Sequence, residues 1–87
     1  MNWDYEFEAR ALRELKSLGS TDQQRVIKYL RKRIVGPEDP RRFGKALLHE
    51  YAGLWRYRVG DIRLICKIED GALKVLVVRV GHRREVY

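Results

Sequence analysis

Eighty-seven residues contain one cysteine, one methionine, two histidines, two prolines and two serines. Each shortage removes a class of chemistry. With Cys66 alone, no disulfide can form within the chain, which agrees with a reducing compartment. One cysteine and two distant histidines give no metal-ligand spacing. Ser17 and Ser20 fall at expected helix ends, a position that argues against a serine nucleophile. Gly36, Gly44 and Gly53 do not make a phosphate-cradling glycine loop. No window approaches the roughly 18 apolar residues of a membrane span, and the first residues, Met1-Asn2-Trp3-Asp4, do not read as a signal peptide. A single cytoplasmic domain over residues 1–87, with no cofactor and no membrane partner, is the expectation.

What the chain has in excess is positive charge. Nineteen lysines and arginines against twelve acidic residues leave a net +7. The excess is uneven. Residues 1–22 carry three basic and five acidic side chains, whereas residues 23–87 carry sixteen and seven, a balance of +9. A polyanion is the first partner to expect, and the later three-quarters of the chain is the part that would face it.

The periodicity predicts an α+β domain. Trp3–Phe7 reads as a short strand. Glu8–Leu18 reads as a helix with Phe7, Ala11, Leu15 and Leu18 on one stripe, closed by Gly19. Ser20 and Gln23 form a capping box for a second helix, with Val26, Ile27, Leu30 and Ile34 inward; Gly36-Pro37 ends it. An antiparallel helical hairpin follows from the brief joint. After a long loop over 36–53, strands are expected at 54–59, 62–69 and 72–80. Gly60-Asp61 and Asp70-Gly71 serve as two-residue hairpin turns. The expected architecture is an N-terminal helical hairpin packed on a twisted antiparallel sheet of about four strands.

The turns set the register. A loop at 60–61 pairs Val59 with Ile62 and places Arg58 opposite Arg63. Trp55, Tyr57, Val59, Ile62, Leu64 and Cys66 then share the core face, and Arg56, Arg58 and Arg63 share the other. A loop at 70–71 would pair Cys66 with Val75 and Leu64 with Val77. Opposed like charges cost a sheet a few tenths to about 1 kcal/mol. A sequence that keeps Arg58 opposite Arg63, with Arg56 beside them, gains something there, and a bound phosphate chain is the simplest candidate. Cys66 reads as a small buried hydrophobe and His49 as a loop residue. The helix charges Arg25, Lys28, Arg31, Lys32 and Arg33 read first as a solvated face, with RNA contact as the second reading.

Val80-Gly81-His82-Arg83-Arg84-Glu85-Val86-Tyr87 sets an imidazole, two guanidiniums and a phenol at the end of a strand. Such groups suit RNA cleavage without a metal. RNA supplies its own nucleophile, the 2′-OH; the enzyme must take its proton, hold the phosphate's developing charge and protonate the leaving 5′-oxygen. Arginine clamps phosphate in a bidentate manner. A tyrosine ordinarily titrates near pH 10, and surrounding guanidiniums favour its phenolate.

The chain resembles the RelE/ParE toxin superfamily, and most closely its RelE-type mRNA interferases. The resemblance runs from Phe7-Glu8-Ala9-Arg10-Ala11-Leu12-Arg13-Glu14-Leu15 and Leu18-Gly19-Ser20, through Leu54-Trp55-Arg56-Tyr57-Arg58-Val59-Gly60-Asp61-Ile62-Arg63-Leu64, to the final eight residues. It implies a toxin of a type II toxin–antitoxin system that cuts mRNA in the ribosomal A site, partnered by a RelB-like antitoxin. By position it implies strand cations at Arg56 and Arg58, a phosphate clamp at Arg63, an acid at Arg83 and a base at Tyr87. Further RNA contacts are expected from Arg31, Lys32, Arg41, Arg42, Lys45, His82 and Arg84. Arginine stands where the family often has lysine at the strand pair. The interval from Arg83 to Tyr87 is shorter than in some members. A gyrase-poisoning toxin of the ParE type and a non-catalytic RNA-binding module are the alternatives.

Overall fold

A computed structural model of the chain describes residues 2–82. Arg83, Arg84 and Tyr87 lie outside the described residues. The strands are β1 (Asp4–Phe7), β2 (Lys45–Ala46), β3 (Leu54–Val59), β4 (Ile62–Glu69) and β5 (Lys74–His82); the helices are α1 (Ala9–Lys16) and α2 (Ser20–Arg33). The domain is α+β, with a five-stranded mixed sheet in the order β1-β5-β4-β3-β2. The strand reading at 3–7 is correct in place, but β1 runs parallel to β5 rather than joining an all-antiparallel sheet. The fifth strand, β2, is a two-residue edge strand inside the long loop, pairing Lys45 with Arg56 and Ala46 with Trp55.

Both helices bury one face on the same side of the sheet. Ala11 and Leu15 sit four residues apart on α1, one turn of helix, and are buried against β5; Val26 and Leu30 repeat the spacing on α2. They meet Tyr57, Val59, Ile62, Leu64, Cys66, Val75, Val77 and Val80, which form the core with Trp3 and Ile34. The inward reading of Tyr57, Leu64, Cys66 and Val77 therefore holds, and Trp55 is half-buried beside them. Burial pushes the Cys66 thiol far above its ordinary range, which leaves it an unreactive hydrophobe. Among the described residues no helix is long and apolar enough to cross a membrane.

The capping box is a correction. Gly19, in an extended conformation, is the N-cap of α2, and Ser17 rather than Gly19 closes α1. The Gln23 amide turns back to donate to the carbonyls of Leu18 (2.7 Å) and Lys16 (3.3 Å). It thereby satisfies backbone acceptors at the end of the preceding helix.

The first hairpin follows the expected register, with Val59 opposite Ile62 and Arg58 opposite Arg63. The second does not. Asp70–Ala72 form a 3-10 turn and Leu73 takes a left-handed conformation (φ 50°), so Glu69 faces Lys74, where a two-residue loop would have set Lys67. Cys66 lies opposite Val77, and Leu64 opposite Val80. A β-bulge adds Val78 between the pairs Ile65–Arg79 and Cys66–Val77. One extra residue reverses the alternation, which is why Val75, Val77 and Val80 all reach the core.

Candidate phosphate-binding face

The sheet's outer face, turned away from the helices, has an apolar part and a cationic part. Leu47 and Ile65 are buried there against Leu54 and Val78. Toward the Gly60-Asp61 turn stand Arg56, Arg58 and Arg63, with Lys45 opposite Arg56. Directly paired residues hold their Cβ atoms about 5 Å apart, and alternate residues along a strand lie about 7 Å apart. The three guanidiniums thus originate within the width of a phosphodiester linkage and its neighbour. Among the described residues no carboxylate pairs with Arg56 or Arg58. The Nε of Arg56 is buried with no hydrogen-bond partner among the described residues. A buried donor of this kind is costly unless something supplies an acceptor.

Gly81 is the residue opposite Arg63, and His82 is opposite Ile62. With no side chain on Gly81, the outer surface beside Arg63 carries no bulk from β5. His82 is exposed at the end of the strand. The described part of β5 therefore ends beside the Arg58–Arg63 pair. Of the expected site residues, Arg56, Arg58, Arg63, Lys45 and His82 are therefore brought to one side or one end of the sheet. Arg83, Arg84 and Tyr87 fall outside the described residues.

The remaining expected RNA contacts lie elsewhere. Arg31 and Lys32 rim a groove floored by Leu15 and Ile27 on the helical layer, with the sheet between them and Arg58. Arg41 is tied down. Its guanidinium makes a two-pronged pair with Asp70 (2.7 and 3.0 Å), reaches Asp39 at 3.3 Å, and stacks 5.7 Å from the Trp55 ring centre. The hydrogen bond from Arg41 holds the Asp70 carboxyl below its ordinary range. Arg42 pairs with Glu38 and lies over Phe43. Both arginines thus have local work in holding the 38–43 loop, which is also anchored by the Tyr57 hydroxyl donating to the Pro40 carbonyl at 2.7 Å. Sequence reading had no means to separate these paired arginines from the three on the outer face, since the carboxylate that occupies Arg41 lies 29 positions away. The contact of Glu14 with Arg79, which shapes the end of β5, carries no local signal, since the two lie 65 positions apart.

Fold and face together define a small, basic α+β domain with guanidiniums clustered on the outer face of its sheet. Comparison with known proteins gives this class a family. The family model described as the ParE toxin of type II toxin–antitoxin systems, parDE, matches residues 5–87, and the chain belongs to that family, within the RelE/ParE toxin superfamily. The Mycobacterium tuberculosis toxin RelE is 30% identical over 81 residues, which cover 91% of this chain and 79% of that one. Toxin RelG of the same organism is 41% identical over 49 residues, 56% of each chain, so the match spans little more than half of RelG. A chain in the crystal structure of the toxin–antitoxin complex RelBE2 from M. tuberculosis superposes with a TM-score of 0.86 at 29% identity, covering 98% of this chain and 95% of its own.

Proposed function

We propose that this toxin is a metal-independent endoribonuclease that cuts mRNA in the ribosomal A site and so stops translation. The observation that carries the reading is the opposed pair Arg58 and Arg63 with Arg56 beside it, two of the three lacking any carboxylate among the described residues. Their likeness by position to the family's basic residues supports the same reading. The scissile phosphate lies across Arg56, Arg58 and Arg63, which neutralise the charge that builds on its oxygens. The 2′-oxygen attacks the adjacent phosphorus and gives its proton to the Tyr87 phenolate. The bond from phosphorus to the 5′-oxygen breaks, leaving a 2′,3′-cyclic phosphate, and the departing oxygen takes a proton at Arg83. His82, Arg84 and Lys45 steer the backbone. Arg31 and Lys32, on the helical layer, meet RNA of the ribosome. In this role Arg41 and Arg42 contribute only long-range charge.

Free RNA is a poor substrate on this reading. Guanidiniums and phenols are weak acids and bases, so the ribosome must supply alignment of the 2′-OH for in-line attack. The toxin works in the cytoplasm, where ribosomes are, and its partner is a RelB-like antitoxin whose acidic surface covers the cationic face.

The test uses purified protein on programmed ribosomes, with mRNA ends mapped for wild type, Arg83→Ala and Tyr87→Phe. The expected result is a cut within the A-site codon that both substitutions slow by two orders of magnitude or more, on the order of a lost acid–base group. Cuts that persist unchanged in both variants overturn the residue roles. The family model carries the ParE description, so gyrase poisoning is the second reading. DNA breaks that depend on gyrase, with intact mRNA, would establish it in place of the first.

A further inference from the structure

β1 ends at Phe7, opposite Val77. Beyond that point the same edge of β5 has no neighbouring strand among the described residues. An open edge of this sort leaves backbone donors to be satisfied by something else. Here the partner is a carboxylate from α1, 66 positions earlier in sequence. Glu14 Oε1 accepts the Val80 N–H at 2.8 Å. The same carboxylate accepts from Arg79 Nε at 3.2 and 3.0 Å. The exposure of the two side chains is 23% and 32%, so both are largely withdrawn from water. Arg10 approaches Glu14 only loosely, at 3.9 Å, from an exposed position.

The bulge at Val78 accompanies this contact. By adding a residue it changes which N–H groups of β5 point to the open edge, and it sets Gly81 opposite Arg63. The clamp thus grips the strand one residue before the pair that borders the cationic face. One carboxylate with two donors of different direction, a backbone amide and a guanidinium, fixes both the position and the rotation of the strand end.

We infer that Glu14 is a positioning residue for the proposed cleavage: through Arg79 and the Val80 amide it fixes the end of β5, Gly81 and His82, beside Arg58 and Arg63. The inference rests on the nuclease reading for its catalytic consequence and on the described contacts for its geometry. Glu14 lies on the helix side of the strand edge and touches no substrate. Its effect is on alignment, where a displacement of about 1 Å can cost about a hundredfold in rate.

The experiment compares wild type, Glu14→Ala, Glu14→Gln and Arg79→Met. Amide spectra labelled with 15N report the strand end directly, and single-turnover cleavage on programmed ribosomes reports alignment. In Glu14→Ala the Val80, Gly81 and His82 amide signals should shift, and Val80 should exchange faster, while β3 and α2 signals stay in place. The maximal cleavage rate per folded molecule should fall by roughly tenfold to a hundredfold, with the ribosome concentration for half-maximal rate unchanged. Glu14→Gln keeps an acceptor for Val80 but loses the charge, so it should recover part of the rate; it also serves if the alanine variant fails to fold. A role in stability alone would lower the folded fraction and leave the rate per folded molecule intact, and that outcome overturns the inference. Unmoved Val80–His82 signals in both Glu14 variants overturn it as well. A wild-type protein that cuts no mRNA removes the nuclease reading and the catalytic consequence together, while the amide signals still decide whether Glu14 holds the strand.

Discussion

Two groups of arginines in this small domain have opposite surroundings. Around the 38–43 loop, Arg41 and Arg42 face Asp39, Asp70 and Glu38 and lie over aromatic rings. On the outer face, Arg58 faces Arg63, and no carboxylate among the described residues pairs with Arg56 or Arg58. The first arrangement lowers the energy of the folded chain by itself. The second sets two like charges opposite each other, which by itself costs a sheet a few tenths to about 1 kcal/mol. The same residue type is therefore structural in one place and, on the proposed function, ligand-directed in the other, and the surroundings are what differ.

The sharpest way to break that contrast is the double substitution Arg58→Ala with Arg63→Ala. Cleavage on programmed ribosomes should fall by about a hundredfold to a thousandfold, the scale for removing a preorganised charge donor, while the thermal midpoint holds or rises. A midpoint that drops by many degrees would make these arginines structural after all. Second in size is the anchor of the loop. Tyr57→Phe strips the hydroxyl from the buried Pro40 carbonyl and should cost about 1–3 kcal/mol in denaturant unfolding. Gly44→Ala should cost a similar amount, since an added Cβ would stand 2.9 Å from the Tyr57 ring. Neither should change the cut site. The smallest effect belongs to the exposed Arg41–Asp70 pair. Arg41→Ala should leave cleavage unchanged and shift the midpoint only slightly. The sign with pH is fixed: Asp70 is held below its ordinary 3.8, chiefly by the Arg41 hydrogen bond, so its contribution is complete above that value and fades as pH falls through the lowered one. Unfolding curves of wild type and Asp70→Asn should therefore differ at neutral pH and converge in acid; a constant gap would remove the pair as its source.

The legible parts of the fold were those governed by local pattern. Gly60-Asp61 is flanked by unbroken alternation, so one short turn set the Arg58–Arg63 register correctly. The Ala11/Leu15 and Val26/Leu30 spacings likewise placed both helices. The second hairpin was misread because Asp70-Gly71 looks like a two-residue turn, yet an apolar residue, Leu73, takes the left-handed conformation that glycine usually supplies. The bulge at Val78 was hidden within Val75-Leu76-Val77-Val78, where four apolar side chains in a row mask any change of face. β2 is two residues long, too short to carry a period, and the parallel partner of β1 lies 70 positions away. In the candidate site, charge and register were visible from residue types, whereas Glu14 at the β5 edge depends on a contact between the first helix and the last strand.

That last strand has a consequence for how the protein comes into being. β5 supplies the neighbour of β1, the neighbour of β4 and the surface on which α1 rests. A nascent chain that has not yet extruded residues 74–82 has nowhere to dock its own beginning. Vectorial synthesis, which lets many domains fold from the front as they emerge, gives this one no early start: its first helix must wait, solvated, until β5 has emerged.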